Sequence, residues 1–128
     1  MDEDIREWID AAFNDLAAAE GMLKIKNWGY ALFCSQQAVE KMIKALIIKV
    51  TGGMPLRSHD LMKLSRLAGI KTGKAKELFF KKLTAYYIES RYPNGKGQLT
   101  KRLTESSARS YLKRTKAELA WLQKLIQK

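Results

Sequence analysis

Residues 28–53 read WGYALFCSQQAVEKMIKALIIKVTGG. Ala31, Leu32, Phe33, Ala38, Val39, Met42, Ile43, Ala45, Leu46, Ile47 and Ile48 make the run broadly apolar. That pattern predicts a helix from about Trp28 to Thr51, with two adjoining faces buried. One face is rich in small residues (Ala31, Cys34, Ala38, Ala45) that permit close helix approach. Such a helix is central in a bundle or lies at a subunit interface. Gly52-Gly53 is its stop, because glycine relieves the steric cost at a helix C-terminus.

The flanking sequence is also helical. Ile5, Trp8, Ile9, Ala12, Leu16, Ala19 and Leu23 recur at three and four, so a first helix runs from about Asp4 to Ile25. Its acidic start, Asp2-Glu3-Asp4, suits the positive end of the helix dipole. After the loop Met54-Pro55-Leu56-Arg57, Ser58 is the expected N-cap of a short third helix, His59 to about Leu67. A fourth should start near Thr72 or Gly73 and reach Glu89 or Ser90, with Ala75, Phe79, Leu83 and Tyr86 inward. Pro93 marks its end, and Asn94-Gly95-Lys96-Gly97 reads as a basic loop. The last helix should begin near Thr100 or Thr104 and run to about Gln127. Its apolar stripe is Ala108, Tyr111, Leu112, Thr115, Leu119, Leu122 and Ile126, and its basic one Arg102, Arg109, Lys113 and Lys116. No segment alternates with period two for long enough to suggest a sheet. The expectation is all-α: one domain over residues 1–128, an antiparallel up-and-down bundle of four long helices plus one short one.

Composition narrows the function classes. The 128 residues are 46% hydrophobic and 29% charged, as in soluble globular domains. One cysteine, Cys34, excludes an intramolecular disulfide framework, and one histidine, His59, excludes a two-histidine metal site within the chain. Neither a metal nor a cofactor is expected. The longest stretch free of Asp, Glu, Lys and Arg, Asn27 to Val39, is too short and polar to span a bilayer, so no membrane role is expected. The acidic N-terminus is unlike a secretory signal, so a cytoplasmic location is expected.

The net charge of +11 is concentrated in one part of the chain. Residues 1–62 hold 7 basic and 9 acidic side chains, whereas residues 63–116 hold 15 basic and 3 acidic. That distribution suits phosphate, as nucleic acid, nucleotide or an acidic partner. The alternative is a well-solvated lysine-rich surface.

Three stretches, in this order and at these distances, carry a family resemblance. The first is Trp28 to Lys41 followed by Lys44-Ala45-Leu46; the second is Ser58-His59-Asp60-Leu61 with Leu64; the third is Tyr87-Ile88-Glu89-Ser90-Arg91-Tyr92-Pro93. Together they resemble the HEPN domain (higher eukaryotes and prokaryotes nucleotide-binding) over essentially the whole chain. The resemblance implies a helical bundle, commonly a homodimer. Many small prokaryotic members are encoded beside a minimal nucleotidyltransferase and act with it as a toxin–antitoxin pair. In several branches the HEPN partner is a metal-independent ribonuclease, while others bind nucleotides or serve as interaction modules. Nuclease members carry Arg, four to six residues, then His. Here Arg57 is too close to His59, Arg6 is too far, and no His follows Arg91. The resemblance therefore supports a nucleotide- or RNA-binding module, the toxin-like partner of a nucleotidyltransferase. The alternative is a divergent metal-independent ribonuclease using Arg91 and His59 as catalytic candidates.

The binding candidates are Arg57, His59, Asp60, Arg91, Tyr92, Lys96 and Lys41. His59 is read either as a general acid/base or phosphate contact, or as a structural ring that fixes its loop. Arg91 either grips phosphate bidentately or pairs with Glu40 or Glu89, and Tyr92 either stacks on a base or packs the turn. Gln37, Glu40, Lys41 and Lys44 form a polar strip on the second helix, and Glu40–Lys44 reads as an ordinary exposed pair unless that face is buried. The lysines from Lys71 to Lys82 and the basic stripe of the last helix would line a nucleic-acid groove. Tyr86 and Tyr111 fall on apolar stripes and read as core, as does Cys34. In a third reading the chain is an interaction domain whose charge only solubilises it.

Overall fold

A computed structural model describes residues 2–91 and 97–128. Among these residues there are six helices and no strand: α1 (Glu3–Lys24), α2 (Trp28–Thr51), α3 (Leu61–Leu67), α4 (Lys74–Arg91), α5 (Gln98–Lys101) and α6 (Glu105–Ile126). The four long helices are those the periodicity predicts. The fifth, a single turn, is an addition to the expected set: the last long helix starts at Glu105, and Gln98–Lys101 stands apart from it.

Local chemistry sets most of the ends. Asp2 caps α1 by accepting from Asp4 N at 2.7 Å. Asn27 caps α2 by accepting from Tyr30 N at 3.2 Å. Gly52 ends α2 at φ +72°, a left-handed conformation that a side chain would strain. Thr104 and Ser107 close a reciprocal capping box at the start of α6. One cap differs from the expectation. Ser58 accepts only from Asp60 N at 3.1 Å, whereas the Asp60 carboxylate accepts from Met62 N and Lys63 N, so α3 begins at Leu61. His59 therefore precedes the helix rather than opening it.

The α2 helix is the hub, packed against α1, α3, α4 and α6. Its small residues Ala31, Ala38 and Ala45 are fully buried, beside Val39, Met42 and Ile43. Truncating Met42 or Ile43 to alanine in such a site costs about 2–5 kcal/mol. The inner faces of α1 and α6 are the predicted stripes, with Trp8 and Tyr111 only half-buried. On α4 the buried set is Phe79, Phe80, Leu83, Tyr86 and Tyr87, and Ala75 is exposed. The α4 stripe is thus wider and rotated toward Tyr87, because α4 packs on both α2 and α3. No helix among the described residues is long and apolar enough to cross a membrane.

Candidate functional site

Of the polar strip on α2, Glu40 and Lys44 are buried, whereas Gln37 and Lys41 are half-buried. Gln36 is fully buried, Glu40 is 3% exposed and Lys44 8%. That overturns the reading of Glu40–Lys44 as an ordinary surface pair. The reason is tertiary: residues 58–60 cross over this part of α2, and Gln36 Nε2 donates to the His59 carbonyl at 2.9 Å.

A buried carboxylate needs partners on both oxygens. Glu40 Oε2 takes Lys44 Nζ at 2.9 Å. Glu40 Oε1 takes Gln36 Nε2 at 3.1 Å and His59 Nδ1 at 2.8 Å. Gln37 Nε2 donates to Gln36 Oε1 at 2.6 Å, so the Gln36 amide is used at both ends. Lys44 also lies over the Trp8 ring, 5.6 Å from its centre. A carboxylate only accepts, so this network assigns the hydrogen to His59 Nδ1. In the neutral ring Nε2 is then the acceptor, and it has no partner among the described residues. The His59 side chain is 52% exposed.

The ring itself is held by stacking. His59 lies on Tyr87 of α4 with centroids 4.4 Å apart. Tyr87 stacks on Phe33 at 5.5 Å, and Phe33 on Tyr30 at 5.1 Å. These three contacts are within 29° of parallel. The result is a column of four rings from α2, α4 and the 58–60 loop. Nearby, Thr84 Oγ1 accepts from Leu61 N at 3.2 Å, so the Thr84–Tyr87 side of α4 faces the loop. Arg91 stands one helical turn beyond Tyr87 on that side, a spacing of about 5–6 Å between Cβ atoms. It is exposed and makes no hydrogen bond or ion pair with a described residue. The two alternative partners of Arg91 are engaged elsewhere: Glu40 as above, and Glu89 by Leu99 N and Thr100 N, each at 2.8 Å.

The other candidates divide. Arg57 is exposed two residues before His59, with no bonded partner among the described residues. Asp60 is engaged in capping α3. Lys41 is tied to Asp15 of α1 at 2.6 Å, away from the His59 pair. Tyr92, Lys96 and Pro93 lie outside the described residues. Of the basic stripe, Arg109, Lys113 and Lys116 line a groove of about 290 Å³ between α1 and α6, with Lys24 and Glu20. Arg102 ends α5 instead. Two of these cations are partly spent, Arg109 on Glu105 at 3.0 Å and Lys116 on Glu20 at 3.2 Å.

Two groups behave as core. Burial pushes the Cys34 thiol above its usual value, with Asp15 adding to the effect and Lys41 opposing it. Burial likewise raises the Tyr86 phenol, helped by Tyr111 and Glu89. No group of three His, Cys, Asp or Glu side chains among the described residues gathers as a metal site. The sequence reading missed Glu40 and Gln36 as site residues. The available signal was the spacing of Gln36, Glu40 and Lys44 on the most apolar helix, where polar side chains must be paired if buried.

Comparison with known proteins agrees with this architecture. A family model described as the HEPN domain matches residues 5–125. Among solved structures the chain is similar to the crystal structure of TT1696 from Thermus thermophilus. The TM-score is 0.77 at 27% identity, over 94% of this chain and 97% of that one. No curated protein matches the chain.

Proposed function

This chain belongs to the HEPN domain family, and we propose that it is a nucleotide- or RNA-binding module whose site is centred on His59, Tyr87 and Arg91. The observation that carries the reading is the open edge of His59. A buried carboxylate fixes one ring nitrogen of a half-exposed side chain, and the other has no bonded partner among the described residues. An arginine with no bonded partner among the described residues stands one turn along the helix that supports the ring. Phosphate suits the guanidinium, and a base suits the exposed face of the imidazole. The excess of cations over residues 63–116 would add salt-sensitive attraction. Fluorescence anisotropy with a labelled single-stranded RNA tests it. Affinity should fall steeply between about 50 and 200 mM salt, and Arg91→Ala and His59→Ala should each weaken it. Binding indifferent to both substitutions would overturn the assignment.

A second reading is favoured by the Glu40–His59 hydrogen bond, which orients a base as catalytic dyads do. In a metal-independent ribonuclease His59 Nε2 would take the proton of a ribose 2′-hydroxyl. The 2′-oxygen would then attack the adjacent phosphorus, Arg91 would hold the charged phosphoryl oxygens, and the 5′-oxygen would leave and take a proton from water. RNA incubated with the protein in EDTA separates the two readings. Cleavage lost in both Arg91→Ala and His59→Ala supports the enzyme; intact RNA with the wild type, where a control nuclease cuts, supports binding alone.

The family resemblance extends the proposal to assembly. The chain would act as a homodimer and as the toxin-like partner of a minimal nucleotidyltransferase, in the cytoplasm. Co-purification with such a protein and a dimer mass in solution are the expected results; a monomer that retains no nucleotidyltransferase would count against it.

A further inference from the structure

The ring column has two ends, and the site described above uses one. The other is Tyr30, in the first turn of α2, 48% exposed and stacked on Phe33. Its backbone is fixed by the Asn27 cap, so its position is set by the helix. From Tyr30 to Glu40 the α2 axis rises about 15 Å, at about 1.5 Å per residue. The column therefore runs beside α2 with a solvent-facing ring at each end.

The Tyr30 end also has a source of positive charge. Short helix α5 is held by two backbone donors of its first turn, Leu99 N and Thr100 N, on the Glu89 carboxylate. It lies against the first turn of α2: a Cβ on Gly29 would stand 2.7 Å from Thr100 Cγ2. A side chain at position 29 would require the Thr100 methyl to shift. Lys101 and Arg102 follow directly, both exposed and neither bonded to a described residue. An exposed aromatic ring, with exposed cations one and two residues past the Thr100–Gly29 approach, matches a nucleotide unit, a flat base on a charged backbone.

We propose that Tyr30, with Lys101 and Arg102, forms a second nucleotide subsite, continuous through Phe33 and Tyr87 with the His59–Arg91 site. The ligand is then a single strand of several nucleotides that lies along α2, not a lone mononucleotide. This rests on the proposed nucleotide or RNA binding at His59 and adds a second anchor to it.

The test compares uridine monophosphate with a single-stranded hexanucleotide carrying 2-aminopurine, titrated against the wild type, Tyr30→Ala and Tyr30→Phe. Tyr30→Ala should weaken the hexanucleotide about tenfold, the scale of one lost base–aromatic stack, and leave the mononucleotide unchanged. Tyr30→Phe should restore the affinity, because it keeps the ring. Lys101→Ala with Arg102→Ala should weaken the hexanucleotide alone and flatten its salt dependence. If Tyr30→Ala alters neither ligand, or both equally, the second subsite is overturned while the His59 site stands. If the wild type binds neither ligand, the His59 proposal falls with it.

Discussion

Glu40 and Glu118 are the two carboxylates buried among the described residues, and the fold uses them in opposite ways. Glu118 on α6 is closed. Its Oε2 meets Lys76 Nζ at 2.6 Å and its Oε1 meets Arg114 Nε at 3.0 Å. Lys76 also lies over the Trp121 ring at 3.6 Å, and Arg114 over the Phe79 ring at 5.0 Å. Carboxylate and cations thus form a seam between α4 and α6. Glu40 is open. One of its partners is a half-exposed imidazole whose outer nitrogen has no bond among the described residues. Burial and ion pairing do not by themselves mark a site, since both carboxylates have them. The distinguishing feature is the kind of partner: Glu118 holds only cations, which donate, whereas Glu40 orients a half-exposed imidazole whose other nitrogen can accept.

That contrast can be broken by mutation. Glu40→Ala is expected to have the largest effect, about 3–5 kcal/mol of stability, because it leaves the Lys44 ammonium buried without its carboxylate and removes one acceptor from the Gln36 amide. Urea denaturation measures it, and a loss under about 1 kcal/mol would mean that water reaches this network. Glu118→Ala should cost less, about 1–3 kcal/mol, since the Arg114 side chain is 38% exposed and can turn to solvent. It should leave RNA affinity unchanged, and a folded Glu118 variant that no longer binds would erase the distinction. His59→Ala should cost only about 1 kcal/mol, the scale of one ring stack, yet weaken binding. A large stability loss without a binding defect would make His59 structural after all.

The smallest effect concerns a third carboxylate. Partial burial pulls the Glu89 carboxyl upward, but the hydrogen bonds from Thr100 and from the Leu99 and Thr100 backbone, with the Lys101 charge, carry it below its usual value. A lowered carboxylate contributes stability above its unfolded value and loses it as pH falls through the folded one. The Tm gap between wild type and Glu89→Gln should therefore be constant near neutrality and shrink in acid. A gap that stays level throughout the acid range would show that the charge does not anchor α5.

Much of this fold is legible in the sequence. The bounds of α2 follow from its apolar run and the Gly52 stop, and the stripes of α1 and α6 are their buried faces. The misses have local causes. Ser58 and Asp60 are both good caps two residues apart, and Asp60 prevails because residues 58–60 are also held by Gln36, Glu40 and Tyr87. The α5 turn is too short to leave a period. Tyr87 broadens the inner face of α4 because Phe33 of α2 and His59 of the preceding loop stack on it.

The site divides along the same line. His59 and Arg91 stand out by residue type, and their motifs carry the family. That the His59 ring rests on Tyr87, one helical turn before Arg91, does not appear in the one-dimensional pattern, because a loop meets a helix distant in sequence. The sequence determined the four long helices, the Gly52 stop, the apolar faces and the family. Only the tertiary structure decided that Glu40 is buried, that His59 Nδ1 points to it, and that four rings form one column. Helical periodicity says which residues share a face, whereas burial of a polar residue depends on which other segment comes to cover it.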